Sequence, residues 1–275
     1  MASINKLAIN QITNDPVKSD KLVEIYKEEG VPLITPWRNK LEEDGITAKA
    51  FRKMVDDAGI EINGFCLCGF FAEKGVSGRQ EQIDYNKRTI DFALELGAPS
   101  IVTVAGGLLP DNKDLDYSRK FNMDALAEVL AYARDKGMRL GLEPLHPMYT
   151  ADWSVVVNIK DANDWCDQLG DGIGIIVDTY HVWWDPRLQD EIKRAGDRNR
   201  IIAAHVSDWL LPTRDLLLDR GVMGDGVIDI PRIRKWLEDE GYKGNYEVEI
   251  FSEENWKKDQ AVYIEHIKQR FEEFV

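Results

Sequence analysis

Acidic side chains and histidines recur together at four places in the second half of the chain. Each group ends or directly follows a short apolar run, as in LEPLH, VDTYH, HVSD and YEVEI, and three of the four histidines lie there. Carboxylate and imidazole groups together bind Mn²⁺, Mg²⁺, Zn²⁺ or Co²⁺, and no cysteine thiolate lies among them. These segments would form a divalent-metal site if the fold joined them, and the mixed oxygen and nitrogen ligands favour Mn²⁺. The residues are Glu143 and His146, Asp178 and His181, His205 and Asp208, and Glu247 and Glu249.

Ion pairing is the alternative explanation for acidic residues at the ends of apolar runs. A lone buried carboxylate costs on the order of several kcal/mol unless it is paired or bound to a metal. A single such residue is more often an ion-pair partner, but four on successive strands favour the metal. Glu247 and Glu249 are two apart and share one face of a strand, so either could be the ligand. Asp208 is expected behind the ligands, His146 is expected either to act as a base or to orient ligands, and His266 is expected to be exposed.

Short apolar runs alternate with longer helical patterns along the whole chain. The runs at 99–105, 173–178 and 201–206 are almost continuously apolar, as strands of a parallel sheet are when both faces are covered. Eight alternations in 275 residues predict one α/β domain, a (β/α)₈ TIM barrel over residues 1–275. A doubly wound sheet is the rival, but NQITNDP after the first strand lacks the glycine-rich turn. The predicted strands are 6–12, 31–35, 61–69, 99–105, 139–145, 173–178, 201–206 and 246–250, and the predicted helices are 19–29, 47–58, 78–97, 119–136, 159–169, 187–195, 231–240 and 258–273.

Composition excludes several classes of partner. With 49 acidic and 35 basic residues, the chain carries a formal net charge of −14. Such a surface repels phosphate backbones and anionic lipids, so neither nucleic-acid binding nor membrane binding is expected. Cys66, Cys68 and Cys166 are too few for a disulfide framework and are expected as buried free thiols. We find no secretory signal pattern and no window apolar enough to span a membrane, so a cytoplasmic location is expected.

The acidic and histidine motifs resemble those of the xylose-isomerase-like TIM barrels, which include sugar isomerases and epimerases, inositol-pathway isomerases and endonuclease IV. The resemblance covers essentially the whole chain, and it is densest from LEPLHP through VDTYHVWWDP and HVSDW to GVMGDGVIDIP and YEVEIFS. It implies that Glu143, Asp178, His205 and Glu249 bind the metal and that His181 binds substrate. In the epimerases of the family the two glutamates also move the proton, a role that Glu143 and Glu249 would inherit.

Two departures from the family bear on the reaction. Ketose 3-epimerases often carry an arginine six residues after the histidine of the seventh strand, but here that position is Leu211 and the nearest arginine is Arg214. The extra ligands of endonuclease IV and the second metal site of xylose isomerases are not evident in the sequence. Deprotonation of the carbon next to the carbonyl of a keto sugar is the step shared by the remaining reactions. Isomerisation, epimerisation and elimination all begin with it.

Aromatic residues near the predicted mouth of the barrel favour elimination. The tryptophans 37, 183, 184 and 209 could stack on a sugar or a flat aglycone, or could instead plug the gap between loops or form a subunit interface. With the arginine missing, we favour a lyase acting on a 3-keto-glycoside, similar to the large subunit of bacterial C-glycoside deglycosidases, which pairs with a small β-rich subunit. A ketose isomerase or epimerase is the alternative, and a non-catalytic sugar-binding barrel is a distant third; a homo- or hetero-oligomer is expected. Expected catalytic residues are Glu143, His146 and Glu249, and expected substrate contacts are His181, Trp37, Trp183, Trp209 and Arg214.

Overall fold

The apolar runs of the chain form the strands of one parallel sheet that curves into a barrel. The structure is a computed structural model and describes residues 2–275. Its strands are β1 (Leu7–Asn10), β2 (Leu33–Thr35), β3 (Glu61–Ile62), β4 (Phe65–Gly69), β5 (Ser100–Val104), β6 (Arg139–Leu142), β7 (Ile173–Asp178), β8 (Ile201–Val206), β9 (Asp208–Trp209), β10 (Arg220–Gly221) and β11 (Tyr246–Val248). Nine of them lie side by side in the order β3-β2-β1-β11-β8-β7-β6-β5-β4. A bridge between Trp37 and Cys66 brings the β2 side next to β4 and nearly closes the barrel.

The nine strands fill eight positions around the barrel, because two short strands, β3 and β4, share the third position. The sequence predicts one strand over 61–69, but β3 and β4 are separated at Asn63 and Gly64. The break lets β3 pair with β2 while β4 pairs with β5. The predicted TIM barrel is confirmed, and β9 and β10 form a separate antiparallel pair outside it.

Helices separate the strands and cover the outside of the barrel. The long ones follow the predicted pattern, and several begin at side-chain caps, such as Asn158 at α6 and Asp114 at α5. Gly137 ends α5 with a left-handed φ of 75°, which costs glycine no side-chain clash. Three short helices were not predicted, namely α2, α7 and α10, and each closely follows a strand at the mouth. The bounds are α1 Ser19–Glu28, α2 Arg38–Glu43, α3 Ala48–Ala58, α4 Arg79–Leu96, α5 Leu115–Lys136, α6 Ile159–Leu169, α7 Thr179–Val182, α8 Leu188–Gly196, α9 Ile230–Asp239, α10 Glu253–Trp256 and α11 Gln260–Phe274.

Two apolar layers support the mouth of the barrel. The larger layer lies between the strands and the surrounding helices, and it includes most of the buried aliphatic residues. A smaller cluster of Cys66, Val102 and Ile176 fills the barrel interior, with Trp37 packed against it. All six residues of β7 are buried, so this strand ends at a point enclosed on every side. Among residues 2–275, none of the helices has the length and hydropathy to cross a bilayer.

Candidate metal centre

Four side chains from neighbouring strands converge at the carboxyl-terminal mouth of the barrel. Glu143 directly follows β6, Asp178 ends β7, His205 lies on β8 and Glu249 directly follows β11. One ligand atom from each lies within 4.8 Å of the corresponding atom of every other, and all four residues are buried. The register pairs Asp178 with His205, which sets both side chains at one depth. The structure thus brings together the four residues that the sequence predicts as metal ligands.

Unpaired polar atoms within this cluster fit a cation. Nδ1 of His205 lies 2.9 Å from Oε1 of Glu143. These two atoms and Nε2 of His205 have no hydrogen-bond partner of good geometry, although all three are buried. Buried polar atoms are rarely left without partners, and a cation bound to both Nδ1 of His205 and Oε1 of Glu143 would satisfy those two atoms. Three carboxylates and one imidazole are also a ligand set suited to a divalent metal.

The electrostatics of the mouth point the same way. The mouth buries four carboxylates, those of Glu143, Asp178, Glu247 and Glu249, against two cationic groups, Arg220 and a protonated His205, so the formal charge is −2. Burial raises the pKa of Glu143, because the charged carboxylate loses water. Burial lowers the pKa of His205, but the carboxylates of Glu247 and Glu143 outweigh it and the pKa is raised overall. A divalent cation would relieve the excess charge.

The structure distinguishes Glu249 from Glu247, which the alternation pattern alone could not do. Glu247 lies at the level of His205, its Oε2 3.7 Å from His205 Nε2. Both glutamates accept hydrogen bonds, but the group of ligand atoms that lie within 4.8 Å of one another contains Glu249 and not Glu247. Glu247 is therefore placed behind the ring of His205, at Nε2, whereas Glu143 lies at Nδ1. Its donors are Asn10 Nδ2 at 2.7 Å, Thr35 Oγ1 at 2.5 Å and Asn63 Nδ2 at 2.8 Å.

Arg220 is a buried residue of the centre that the sequence analysis missed. Its side chain is 2% exposed, and Nη1 donates to Oε2 of Glu249 at 3.0 Å and lies 3.4 Å from Oδ2 of Asp178. Its guanidinium lies over the rings of Tyr180 and Phe251, at 4.4 and 4.7 Å from their centroids. The two carboxylates raise the pKa of Arg220 against the lowering effect of burial, which keeps the guanidinium charged. A fixed cation thus stands beside the cluster.

A turn fixed to Asp208 explains how Arg220 reaches the mouth. The carboxylate of Asp208 accepts the backbone N–H groups of Gly224, Gly226 and Ile228 at 2.9, 2.9 and 3.0 Å, so GVMGDG wraps around it. This turn places β10, which begins with Arg220, against β9. The position six residues after His205 is Leu211, as the sequence shows, and it is 69% exposed in the loop between β9 and β10; the arginine at the mouth is Arg220 rather than Arg214.

His181 is buried beside the cluster and faces it with one ring nitrogen. Its Nδ1 accepts the backbone N–H of His146 at 3.1 Å, so the proton of the neutral ring is assigned to Nε2. Burial lowers the pKa of His181 to about 3, so the ring is neutral at pH 7. Nε2 lies 3.8 Å from Oδ2 of Asp178 and 3.2 Å from Nη2 of Arg220. In this assignment neither N–H can accept from the other, so an oxygen placed beside both nitrogens would accept a hydrogen bond from each.

The aromatic residues after β7 and β8 pack mainly on one another. Trp209 stacks on Tyr180 at 4.8 Å and lies 5.8 Å from Trp183. The ring of His146 lies 5.2 Å from that of Trp209 and 5.6 Å from that of Trp184, and its Nδ1 accepts the backbone N–H of Met148. These rings therefore fill the gap between the loops, which is the alternative to stacking on a substrate. The structure gives the backbone of His146 an orienting role toward His181, and the catalytic role predicted for its side chain stays a prediction.

The other two predicted substrate contacts lie in different surroundings. Trp37 lines a cleft next to the centre, and its Nε1 donates to Oδ1 of Asn10 at 2.5 Å. The side chain of Arg214 is 57% exposed and forms ion pairs with Asp219 and Glu254. Its guanidinium is engaged at the surface, and Arg220 is the arginine that contacts the cluster. Three of the four histidines lie at the mouth, and His266 lies on α11, where it is partly buried with 42% of its side chain exposed.

Comparison with known proteins agrees with this geometry. One curated relative, the inosose isomerase of Halalkalibacterium halodurans, is 26% identical over 197 residues, which cover 68% of this chain and 66% of the relative, slightly less than two thirds of its length. Protein SMc04130 of Sinorhizobium meliloti 1021, a solved structure, is 41% identical with a TM-score of 0.94 over 99% of both chains. The zinc-bound IolI protein is 21% identical with a TM-score of 0.83 over 98% of this chain and 97% of that one, a likeness of fold. Residues 23–270 match the xylose isomerase-like TIM barrel family, and the chain belongs to that family.

Proposed function

We propose that this chain is a divalent-metal-dependent isomerase or epimerase that acts on a keto sugar. The convergence of Glu143, Asp178, His205 and Glu249 within 4.8 Å, at the end of the barrel where catalytic residues of this fold lie, carries the proposal. The curated relative that is named as an inosose isomerase supports the isomerase class. A sugar isomerase or epimerase needs a base, a return path for the proton and fixed donors for the sugar oxygens. The residues around the cluster supply each of these.

The four converging side chains would hold the cation. A divalent cation bound there supplies Lewis-acid stabilisation of the negative charge that develops on sugar oxygens during deprotonation. The orphaned atoms of Glu143 and His205 support this assignment. Mn²⁺ stays our prediction from the ligand types, while the IolI neighbour of similar fold was solved with zinc bound.

We propose that Glu143 and Glu249 move the proton. Glu143 follows β6 and Glu249 follows β11, and β7 and β8 separate these strands in the sheet, so the two carboxylates approach from different sides. A carboxylate on one side removes the proton from the carbon next to the carbonyl. Return of a proton by the carboxylate on the other side inverts that carbon, which is epimerisation. Return to the neighbouring carbon by the first carboxylate gives isomerisation.

Two donors are placed to hold a sugar oxygen. Nε2 of His181 and Nη2 of Arg220 lie 3.2 Å apart, and both carry protons in the assignment above. An oxygen that accepts from both would be fixed against the cluster, and the guanidinium would stabilise negative charge on it. Arg220 thus fills the role for which the sequence analysis found no residue.

Elimination from a 3-keto-glycoside stays a prediction, and it has less support from the structure than from the sequence alone. It was favoured because an arginine was missing and because the mouth is aromatic. Arg220 removes the first reason, and the packing of Trp183 and Trp209 against their neighbours weakens the second. The need for a small β-rich second subunit rests on the same resemblance and stays a prediction with it.

Hydrogen exchange at the sugar carbon tests the proposal. Metal-loaded protein in D₂O should introduce deuterium next to the carbonyl of a free ketose with the carbon skeleton intact, and release of an aglycone from a keto-glycoside would instead mean elimination. His205→Ala should abolish both metal binding and exchange, while His266→Ala, which replaces the histidine on α11 away from the cluster, should change neither. Absence of exchange across a panel of ketoses and keto-glycosides by a protein shown to bind the metal would favour the non-catalytic barrel.

A further inference from the structure

A cleft of about 620 Å³ opens beside the metal centre. Trp37, Cys66 and Phe251 line the end nearest the centre. Asn10 connects this end to a metal-binding side chain, since its Nδ2 lies 3.5 Å from Sγ of Cys66 and 3.1 Å from Oε1 of Glu249. The guanidinium of Arg220 lies over the ring of Phe251. The cleft therefore continues outward from the place where we propose that the reacting sugar ring binds.

The cleft has more volume than one sugar ring needs. A water molecule takes about 30 Å³ of liquid for its one heavy atom, so the roughly twelve heavy atoms of a hexose need less than about 360 Å³. The cleft lining contains none of the four metal-binding side chains, so the reacting carbons would lie beyond its inner end. Much of the 620 Å³ would stay open to a larger substrate.

Half-buried aromatic rings stand along the outer part of the cleft. Trp153 stacks on Tyr149 at 4.7 Å, which holds its indole in place. Phe70 has a φ of 53°, in the left-handed region that a residue with a side chain rarely adopts. Such backbone strain costs about 1–3 kcal/mol and is found where the position of a side chain matters for function. The rings offer flat apolar faces on which the C–H face of a sugar can pack.

Polar side chains border the same region and give it a slight excess of negative charge. The carboxylates of Glu73 and Asp152 line the cleft together with Lys74, the one cationic residue among the described residues that line it. Lys74 is already paired, its Nζ lying 2.6 Å from Oε1 of Glu81. A phosphate dianion would meet two carboxylates and no free cation there, so it would be repelled. Sugar hydroxyls can donate hydrogen bonds to both carboxylates.

We propose that this cleft is a second subsite, which holds an uncharged second sugar ring of the substrate. The proposal rests on the proposed function, because it assumes that the first ring binds at the metal centre. A purely apolar group would displace water from the exposed carboxylates of Glu73 and Asp152, which is unfavourable even though Glu73 keeps the hydrogen bond that Nε2 of Gln82 donates at 2.8 Å. A second sugar ring satisfies both kinds of surface, packing on Phe70 and Trp153 while its hydroxyls bond to the carboxylates.

Binding of non-reacting sugars to the Mn²⁺-loaded protein tests the subsite by calorimetry. The disaccharides cellobiose and maltose, glucose, glucose 6-phosphate and phenyl β-glucoside are compared. At least one disaccharide should bind about tenfold tighter than glucose, and glucose 6-phosphate should bind no tighter than glucose. Trp153→Ala and Phe70→Gly should each bring disaccharide binding down to the level of glucose. Phe70→Gly relieves the backbone strain while it removes the ring, so this variant is expected to fold.

The matched control and the contrary outcomes separate this proposal from the proposed function. Tyr117→Ala removes an exposed aromatic ring on α5, outside the cleft, and should leave all affinities unchanged. Tighter binding of glucose 6-phosphate or of phenyl β-glucoside than of the disaccharides would overturn the second-ring subsite, as would equal binding of glucose and disaccharides. If glucose and the disaccharides bind equally while ketose exchange in D₂O persists, the subsite is ruled out and the proposed reaction stands. Disaccharide preference without any exchange would remove the proposed reaction and keep the subsite.

Discussion

Replacement of Glu247 by glutamine is expected to weaken metal binding, although Glu247 is not among the four ligands. Nδ1 of His205 points toward Glu143, and Nε2 points toward Oε2 of Glu247 at 3.7 Å. If Nδ1 binds the cation, the ring proton is on Nε2 and faces this carboxylate. A carboxylate behind a metal-bound histidine fixes the orientation of the ring and makes it a stronger ligand. Glu247→Gln removes the charge and keeps the size.

The size of the effect follows from the contacts of Glu247. Loss of a residue that orients a metal ligand typically reduces affinity about 10–100-fold, which corresponds to about 1.4–2.8 kcal/mol. The amide also has one acceptor oxygen for three donors, so at least one of Asn10, Thr35 and Asn63 loses its partner. A buried donor without a partner costs about 1–3 kcal/mol. Glu247→Gln should therefore lower both the metal affinity and the free energy of unfolding of the metal-free protein.

Thr35→Val is the control that separates the two effects. It removes one donor from Glu247, at 2.5 Å, but keeps the carboxylate charge behind His205. Metal affinity is measured by competition with a chelator, and stability by denaturant unfolding of the metal-free protein. We expect Thr35→Val to lower stability with at most about a threefold change in affinity. Wild-type affinity in Glu247→Gln, alongside lowered stability, would show that Glu247 serves the fold and does not tune the histidine.

Three further perturbations test other parts of the site. Arg220→Met should lower kcat/KM for the ketose by about 100-fold or more while the metal still binds, and unchanged kinetics would remove Arg220 from the site. Asp208→Asn should lower the free energy of unfolding by about 1–3 kcal/mol, since the amide has one acceptor oxygen for the backbone N–H groups of Gly224, Gly226 and Ile228. The same change should lower kcat/KM, because the turn that positions Arg220 is weakened. Asp229→Asn, at the exposed start of α9, is the control. Mn²⁺ at 100 times its Kd should raise the free energy of unfolding by about 2.7 kcal/mol in wild type but not in Asp178→Ala, as measured by denaturant unfolding.

The sequence predicts the barrel because burial is uniform along its strands. The run 173–178 is apolar up to its last residue, and all six residues are buried as β7. Such a strand fits only a sheet that is covered on both faces. The strand predicted over 61–69 is broken at Asn63 and Gly64, a polar residue and a glycine that interrupt the apolar run, and Asn63 directs its amide toward Glu247.

The metal ligands could be predicted because they lie at the ends of strands, but Arg220 could not be predicted in this way. A residue at the end of a strand is fixed by the barrel, so Glu143, Asp178 and His205 converge whatever the loops do. Arg220 reaches the mouth from a loop, and its distance along the chain from His205 depends on how long that loop is. What fixes it in space is the turn around Asp208, through hydrogen bonds to backbone groups that carry no residue-type signal.

The pair Glu247 and Glu249 shows what alternation settles and what it leaves open. Residues two apart on a strand face the same side, so both carboxylates enter the barrel. Their depth in the barrel then decides what each one contacts. Glu247, the deeper residue, lies level with His205 and accepts hydrogen bonds from amide and hydroxyl donors on β1, on β2 and in the break after β3. Glu249, the outer residue, reaches the other metal ligands. Those donors come from residues more than 180 positions away, so they are set by how the barrel closes. A strand that ends in two acidic residues can therefore supply both a metal ligand and the group that tunes a neighbouring ligand, and only the closed barrel assigns the two roles.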